Sequence, residues 1–199
     1  MNVKDPPPTL RREEILDRTL ELVKTGGLAN LTMKKVAERV GFTEPAIYRY
    51  YPTKQALILG LIDRLEEMLL PRLRSLAADT SMPPVERLER MVSHHAGLII
   101  DTNGLPFLLL AEASAAGDEA VIQRMGRIAS GLLENLGRVL GELPLEPGGP
   151  PPQTLVLPLL GFAAGLAIQR RLAPERSLAK EEALALIPIL VRRITGVGV

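Results

Sequence analysis

The sequence predicts an all-α protein: a small N-terminal three-helix head on a larger C-terminal helical bundle, about nine helices in all. Three observations predict it. No segment sustains the period-two alternation of a strand. Leu and Ala dominate, and apolar residues recur at i, i+3, i+4 and i+7 along most of the chain. Breakers fall between those stretches, at Gly26-Gly27, Gly41, Pro52, Pro83-Pro84, Gly104 and the run 143–152. Charge is also split. Residues 1–60 carry net +3 and the remainder −2, within a total of +1 over 199 residues. A basic head on a slightly acidic body suits nucleic-acid binding by the head alone.

Composition removes several alternatives. There is no Cys, hence no disulfide framework, thiolate nucleophile or Cys-based zinc site. Residues 1–9, MNVKDPPPT, lack the apolar core of a signal peptide. The longest wholly apolar run, 155–168, is shorter than the roughly 20 residues of a membrane span and contains Pro158. It reads as a buried helix, and the chain as cytoplasmic with no membrane partner.

The first helix follows a stiff arm, Pro6 to Pro8, and takes Thr9 as its cap. It carries Ile15, Thr19, Leu22 and Val23 and stops at Gly26-Gly27. Arg11 and Arg12 near its start suit either phosphate or solvent. The second helix opens at Thr32, an N-cap residue, and repeats Met33, Val36, Ala37 and Val40 before Gly41. Thr43 can cap a third, with Pro45 tolerated in the first turn. Ile47 and Tyr51 then point inward, Glu44, Tyr48 and Arg49 outward, and Pro52 ends it. Two short helices joined through a glycine turn, about 32–51, make a helix-turn-helix. Its second helix fits a major groove, N-terminal residues at the base edges. Lys34, Lys35, Arg39, Arg49 and Lys54 outnumber Glu38 and Glu44, so this stretch is net +3 and can displace counterions from phosphate. A plain helical hairpin with a solvated basic face has the same composition.

The order T-x-K-x-V-A-x-x-V-G-F-x-x-x-A-I-Y-x-Y-Y-x-x-K over 32–54 resembles the DNA-binding segment of the tetracycline-repressor (TetR) family of bacterial regulators. The resemblance runs from Leu10 to roughly Leu69, about the first third of the chain. It implies a DNA-binding domain over 9–69 and a ligand-binding and dimerisation domain over 70–199. By position, Thr32, Met33 and Lys34 would meet the DNA backbone. Glu44, Pro45, Ala46 and Arg49 would face bases, and Tyr48, Tyr50 and Lys54 would grip phosphates. Tyr50 stands where many members have His, and Tyr51 where many have Phe. The Tyr51 hydroxyl, near a core position, needs water or a partner.

Beyond the head, a long helix runs from Lys54 to about Leu76 with Leu57, Leu61, Leu65, Met68 and Leu69 as its stripe. Pro71 should kink or end it. Residues 77–84 form a link. Helix 84–102 places Leu88, Met91, Val92, His95, Leu98 and Ile99 on one face and Arg87, Arg90, His94 and Asp101 on another. Helices follow at 105–116, 118–141, 154–172 and 178–195, the last to be kinked by Pro188.

No catalytic constellation occurs, and no cofactor fingerprint. His94 and His95, the two histidines, point about 100° apart on a helix and cannot close on one metal as an H-x-x-x-H pair does. His95 reads first as a core histidine with a hydrogen-bond partner, His94 as solvated. Glu112, after Leu108-Leu109-Leu110, reads first as an ion-pair partner and second as the head of a ligand site.

The resemblance also implies a small-molecule pocket in the body. Met68, Met91, His95, Leu98, Phe107, Met125 and Phe162 are candidates to line it, Met being adaptable to irregular apolar shapes. Helix 154–172 is apolar nearly all round, which asks for two partners, the body's own core and a second copy. Gly161, Ala164, Gly165 and Ile168, with Ile187, Leu190 and Val191 of the last helix, are the candidate dimer contact. The leading reading is a non-enzymatic, homodimeric repressor released from a palindromic double-stranded operator by a largely apolar effector. The alternatives are a DNA-binding regulator without a small-molecule effector, and a helical lipid carrier or enzyme.

Overall fold

The computed structural model describes residues 8–145 and 149–197. Arm residues Pro6 and Pro7 and part of the 143–152 loop lie outside the described residues. Among the described residues there is no strand. The helices are α1 (Pro8–Gly26), α2 (Met33–Val40), α3 (Glu44–Tyr50), α4 (Lys54–Ala78), α5 (Pro84–Asp101), α6 (Leu105–Ala116), α7 (Glu119–Leu140), α8 (Val156–Leu172), α9 (Lys180–Ala185) and α10 (Ile187–Thr195), with short 3-10 turns between some of them.

Two prolines bear on how far their helices run. α4 runs on through Pro71 to Ala78. Pro71 is exposed, on a side where water can take the backbone bond the ring removes. The last helix is broken rather than kinked. Leu186 separates α9 from α10, and Pro188 sits in the first turn of α10, where its missing N–H has no helical partner to lose.

The chain forms two compact units. One joins the residues up to Leu65 with Leu108–Arg124, the other joins Glu66–Phe107 with Met125 onward. The sequence division at 69/70 put all of α6 and α7 in the body, whereas the structure joins Leu108–Arg124 to the head's unit. Two long-range contacts hold that segment. Gln55 Nε2 donates to both carboxylate oxygens of Asp118 at 3.1 Å. Asp63 pairs with Arg124.

In the second unit α5 is the central helix, and α8, α9 and α10 all pack on it. Its Leu88, Met91, Val92, Leu98 and Ile99 are buried as their spacing predicts. Arg87, read as polar-face, is only 2% exposed. Its guanidinium donates to the Ala77 carbonyl at 3.0 Å and to the Glu142 carboxylate, so a buried cation joins the end of α4 to the end of α7. Breaking such a pair from one side leaves an uncompensated charge. Lys180 pairs with Asp101 at 2.6 Å and Arg192 with Glu89 at 3.0 Å, fixing α9 and α10 to α5. Gly104 turns the chain out of α5 at φ 69°, where a Cβ would lie 3.0 Å from that of Ala167.

His95 lies in the core as its place on the apolar face predicts, but without the expected partner at Nδ1 among the described residues, and His94 is not simply solvated. His94 is half-buried, and its Nε2 lies 2.9 Å from the Met68 carbonyl. His95 is buried, and its Nδ1 has no partner among the described residues. Burial, and then the neighbouring His94, push its pKa down from 6.5 to about 4.

Two acid-sensitive windows follow. A histidine whose folded pKa is depressed takes up its proton first in the unfolded chain, so stability falls as pH drops from 6.5 towards 4. The loss should total about 3 kcal/mol. Glu142 is shifted in the same direction, with the same consequence on acidification: the hydrogen bond from Arg87 holds its carboxyl below the ordinary range. Its contribution is present above the unfolded pKa and disappears at lower pH. Urea unfolding across pH should show His95→Leu flattening the upper window, while the deficit of Glu142→Gln relative to the wild type shrinks below pH 4.5. A wild-type pH profile retained in His95→Leu would contradict the first assignment.

Candidate DNA-binding site

The recognition helix α3 is only seven residues long, too short to be stable in water by itself. Its supports are local first. Thr32 Oγ1 accepts the Lys35 N–H at 3.2 Å and opens α2. Gly41 closes α2 at φ 79°, and the Phe42 N–H donates to the Ala37 carbonyl at 2.8 Å. Thr43 holds the N-cap position of α3 in extended conformation, but its side chain makes no capping bond. The first turn is held instead by the Thr43 carbonyl, which accepts from Ala46 and Ile47 at 3.0 and 3.3 Å. Tyr51 is extended ahead of Pro52, as a residue before proline must be, and ends the helix.

Longer-range supports come from α1 and α4. Ile47 is wholly enclosed and Tyr51 is buried. The Tyr51 hydroxyl donates to the Arg12 carbonyl at 3.3 Å, so the expected partner is present. Arg12 answers by donating to the Tyr50 carbonyl at 2.8 Å and by lying over the Tyr51 ring, 5.4 Å from its centre. Arg11 pairs with Glu14 at 2.8 Å and lies over Phe42 at 5.2 Å. Both arginines are therefore fasteners of the head. Gly60 of α4 makes room for this latch: a Cβ there would stand 2.9 Å from the Tyr51 ring and 3.1 Å from Leu16. The periodicity gave no sign of it, because the contact lies between helices distant in sequence.

The outer face of α3 presents Pro45, Tyr48 and Arg49 to solvent, with Glu44, Ala46 and Tyr50 half-buried beside them. The five cations of the motif divide in two. Arg39 pairs with Glu21 at 3.7 Å, and Lys35 donates to Asn30 at 2.5 Å. Lys34, Arg49 and Lys54 are exposed and make no hydrogen bond or ion pair among the described residues. Met33, placed at the DNA backbone by the resemblance, is instead buried in the head.

The candidates in the second unit scatter more. Met91, His95 and Leu98 are buried, Met68, Met125 and Phe162 half-buried, and Phe107 exposed. None of them lines the cavity of about 530 Å³ in that unit, which is polar and bounded by Arg72, Glu86, Arg90, Ser93 and His94 among others. For the dimer contact, Gly161, Gly165 and Ile168 are exposed, and Ala164 and Leu190 half-buried. Ile187 and Val191 are instead fully enclosed in the subunit's own core, so they have no surface to offer a second copy. The outward positions of that segment are Leu186 and Ile189, one residue earlier and two later than Ile187.

The sequence profile of the bacterial regulatory proteins of the tetR family matches residues 15–61. The nucleoid occlusion factor SlmA of Vibrio campbellii is 32% identical over 142 residues, covering 70% of this chain and 71% of that protein. SlmA of Vibrio atlanticus is 31% identical over 160 residues, covering 78% and 81%. Among solved structures, a TetR/AcrR-family transcriptional regulator from Thermobifida fusca superimposes with a TM-score of 0.67 at 25% identity, covering 94% of this chain and 98% of that one. The regulator FadR from Bacillus subtilis, in complex with stearoyl-CoA, superimposes with a TM-score of 0.73 at 17% identity, covering 94% and 98%, and so shares the fold. With the helix-turn-helix, its latched recognition helix and these relatives in agreement, the chain belongs to the tetR family of DNA-binding bacterial transcriptional regulators.

Proposed function

We propose that the protein is a homodimeric repressor that holds a palindromic operator with two copies of α3 and releases it when a small molecule binds. The observation that carries the dimer is the outer face of α8. Leu157, Gly161, Ala164, Gly165, Ile168 and Leu172 fall at i, i+4, i+7, i+8, i+11 and i+15, one stripe of the helix. Leu157, Ile168 and Leu172 are 69%, 58% and 81% exposed in the single chain. A Cβ added at Gly161 or Gly165 meets nothing within 4 Å. Glycine in a helix interior costs about 1 kcal/mol relative to Ala, and nothing inside the subunit calls for it here. A second α8 crossing at close range does. Leu186, between α9 and α10, and Ile189 of α10 are further exposed apolar side chains of the same unit.

A two-fold pair built this way presents two recognition helices to half-sites about 34 Å apart. Arg49 is the base reader in this reading. Lys34, Tyr48, Tyr50 and Lys54 hold phosphates. The effector is largely apolar, consistent with the Leu- and Met-rich inner faces of α4, α5 and α7. A differential affinity of about 1.4 kcal/mol for the two head spacings shifts their balance tenfold. A second reading has one specific support, the SlmA relatives, whose name is nucleoid occlusion factor: the chain acts while bound to DNA, without a small-molecule effector. Calorimetry with anionic, cationic and neutral apolar compounds separates the two. Heat from none of them, or from a hydrophilic, highly charged compound alone, favours the second.

Sedimentation of Gly165→Arg should show monomers that no longer bind operator while the heads stay folded. A stable dimer with intact affinity would place the interface elsewhere. In the head, Arg49→Ala should lose roughly 1–3 kcal/mol and relax specificity at one position per half-site. Lys54→Ala should weaken all sequences alike and flatten the salt dependence by about one unit. Equal, sequence-blind losses in both would remove Arg49 from base reading.

A further inference from the structure

In the first unit the end of α6 and the start of α7 leave a cavity of about 450 Å³ against the early turns of α4. Its floor is apolar: Ile58 from α4, Leu109 and Ala113 from α6, and Val121 from α7. The last three are buried. Its walls are low because they are Ala115 and Ala116, just before Gly117 turns the chain at φ 66°. Two carboxylates complete the lining. Asp118 is committed, accepting from Gln55 Nε2 at 3.1 Å and from the Val121 N–H at 3.2 Å. Glu112 makes no hydrogen bond or ion pair among the described residues, contrary to its first sequence reading. No Lys or Arg lines the cavity, so its formal charge is wholly negative.

We propose that this cavity binds a small organic cation with an apolar body, an amine or a quaternary ammonium or phosphonium, and that Glu112 is its counter-charge. The volume lies in the range of about 300–1,000 Å³ that accepts a drug-sized molecule. Ile58, Leu109, Ala113 and Val121 take the apolar body out of water. The sign of the charge is set by the rim. An anion meets two carboxylates and no cation, and a neutral molecule strips water from Glu112 without replacing it. The inference deepens the ligand-responsive reading and rests on it for its consequence: Ile58 stands one turn from Lys54, about 6 Å along α4. An occupant therefore touches the helix that carries a candidate phosphate contact.

Calorimetry on the full chain without DNA tests it with tetraphenylphosphonium and tetraphenylborate, ions of one shape and opposite charge. The phosphonium should bind at one site per chain and the borate should not compete for it. Glu112→Gln should weaken the phosphonium about fivefold, the scale of a partly exposed ion pair. Ala116→Trp should fill the cavity and abolish binding. Both positions are exposed, and circular dichroism checks that the variants fold. Equal binding of the two ions, or isotherms that neither substitution changes, overturns the proposal. With no DNA present, the result is independent of whether the chain represses from an operator, so failure of that reading is read separately, by operator binding.

Discussion

A seven-residue helix cannot hold its own shape in water, yet α3 must be rigid enough to present Tyr48 and Arg49 at fixed angles. The head is built around that constraint. Gly41 supplies the left-handed turn that sends the chain from α2 into α3. Ile47 anchors the inner face. At the far end α1 and α3 exchange hydrogen bonds, Tyr51 to the Arg12 carbonyl and Arg12 to the Tyr50 carbonyl. Gly60 lets α4 approach the same ring. Rigidity made this way is non-local, and the hydroxyl of Tyr51 has work that a Phe there could not do.

The same packing sorts the charges. Arg11, Arg12, Lys35 and Arg39 are occupied within the protein and contribute to the field more than to direct contact. Lys34, Arg49 and Lys54 remain available. A cation already paired must give up its partner before it can neutralise a phosphate, so the free three are the better candidates for contacts. The first unit also takes in Leu108–Arg124, tied to α4 by Gln55–Asp118 and Asp63–Arg124. The helix that follows the recognition helix is thus tied to the Leu108–Arg124 segment within that unit.

Legibility in the sequence followed the range of the interaction. Thr32, Gly41, the α2 stripe, Ile47 and the end at Pro52 were readable, because capping, periodicity and proline sterics act over a few residues. The helices of the body were readable for the same reason, to within a turn. Arg87 was misread because a helical wheel cannot know that Ala77 and Glu142 will close over it. Gly60 was passed over, and Ile187 and Val191 were assigned outward, for want of the inter-helix geometry that decides which stripe meets the core. The prolines were read for position and not for extent: α4 does not end at Pro71, and the last helix breaks at Leu186, just before Pro188. Pro71 and Pro188 both sit where a missing N–H is tolerated, one exposed and one in a first turn.

The central claim is that two copies of the head, joined through α8 and its neighbours, read DNA as a pair. Selection of bound sequences from a random double-stranded pool tests it most directly. The account predicts an inverted repeat whose half-sites are centred about one helical turn apart. Enrichment of a single, non-repeated site, or of nothing beyond general affinity for DNA, would contradict it.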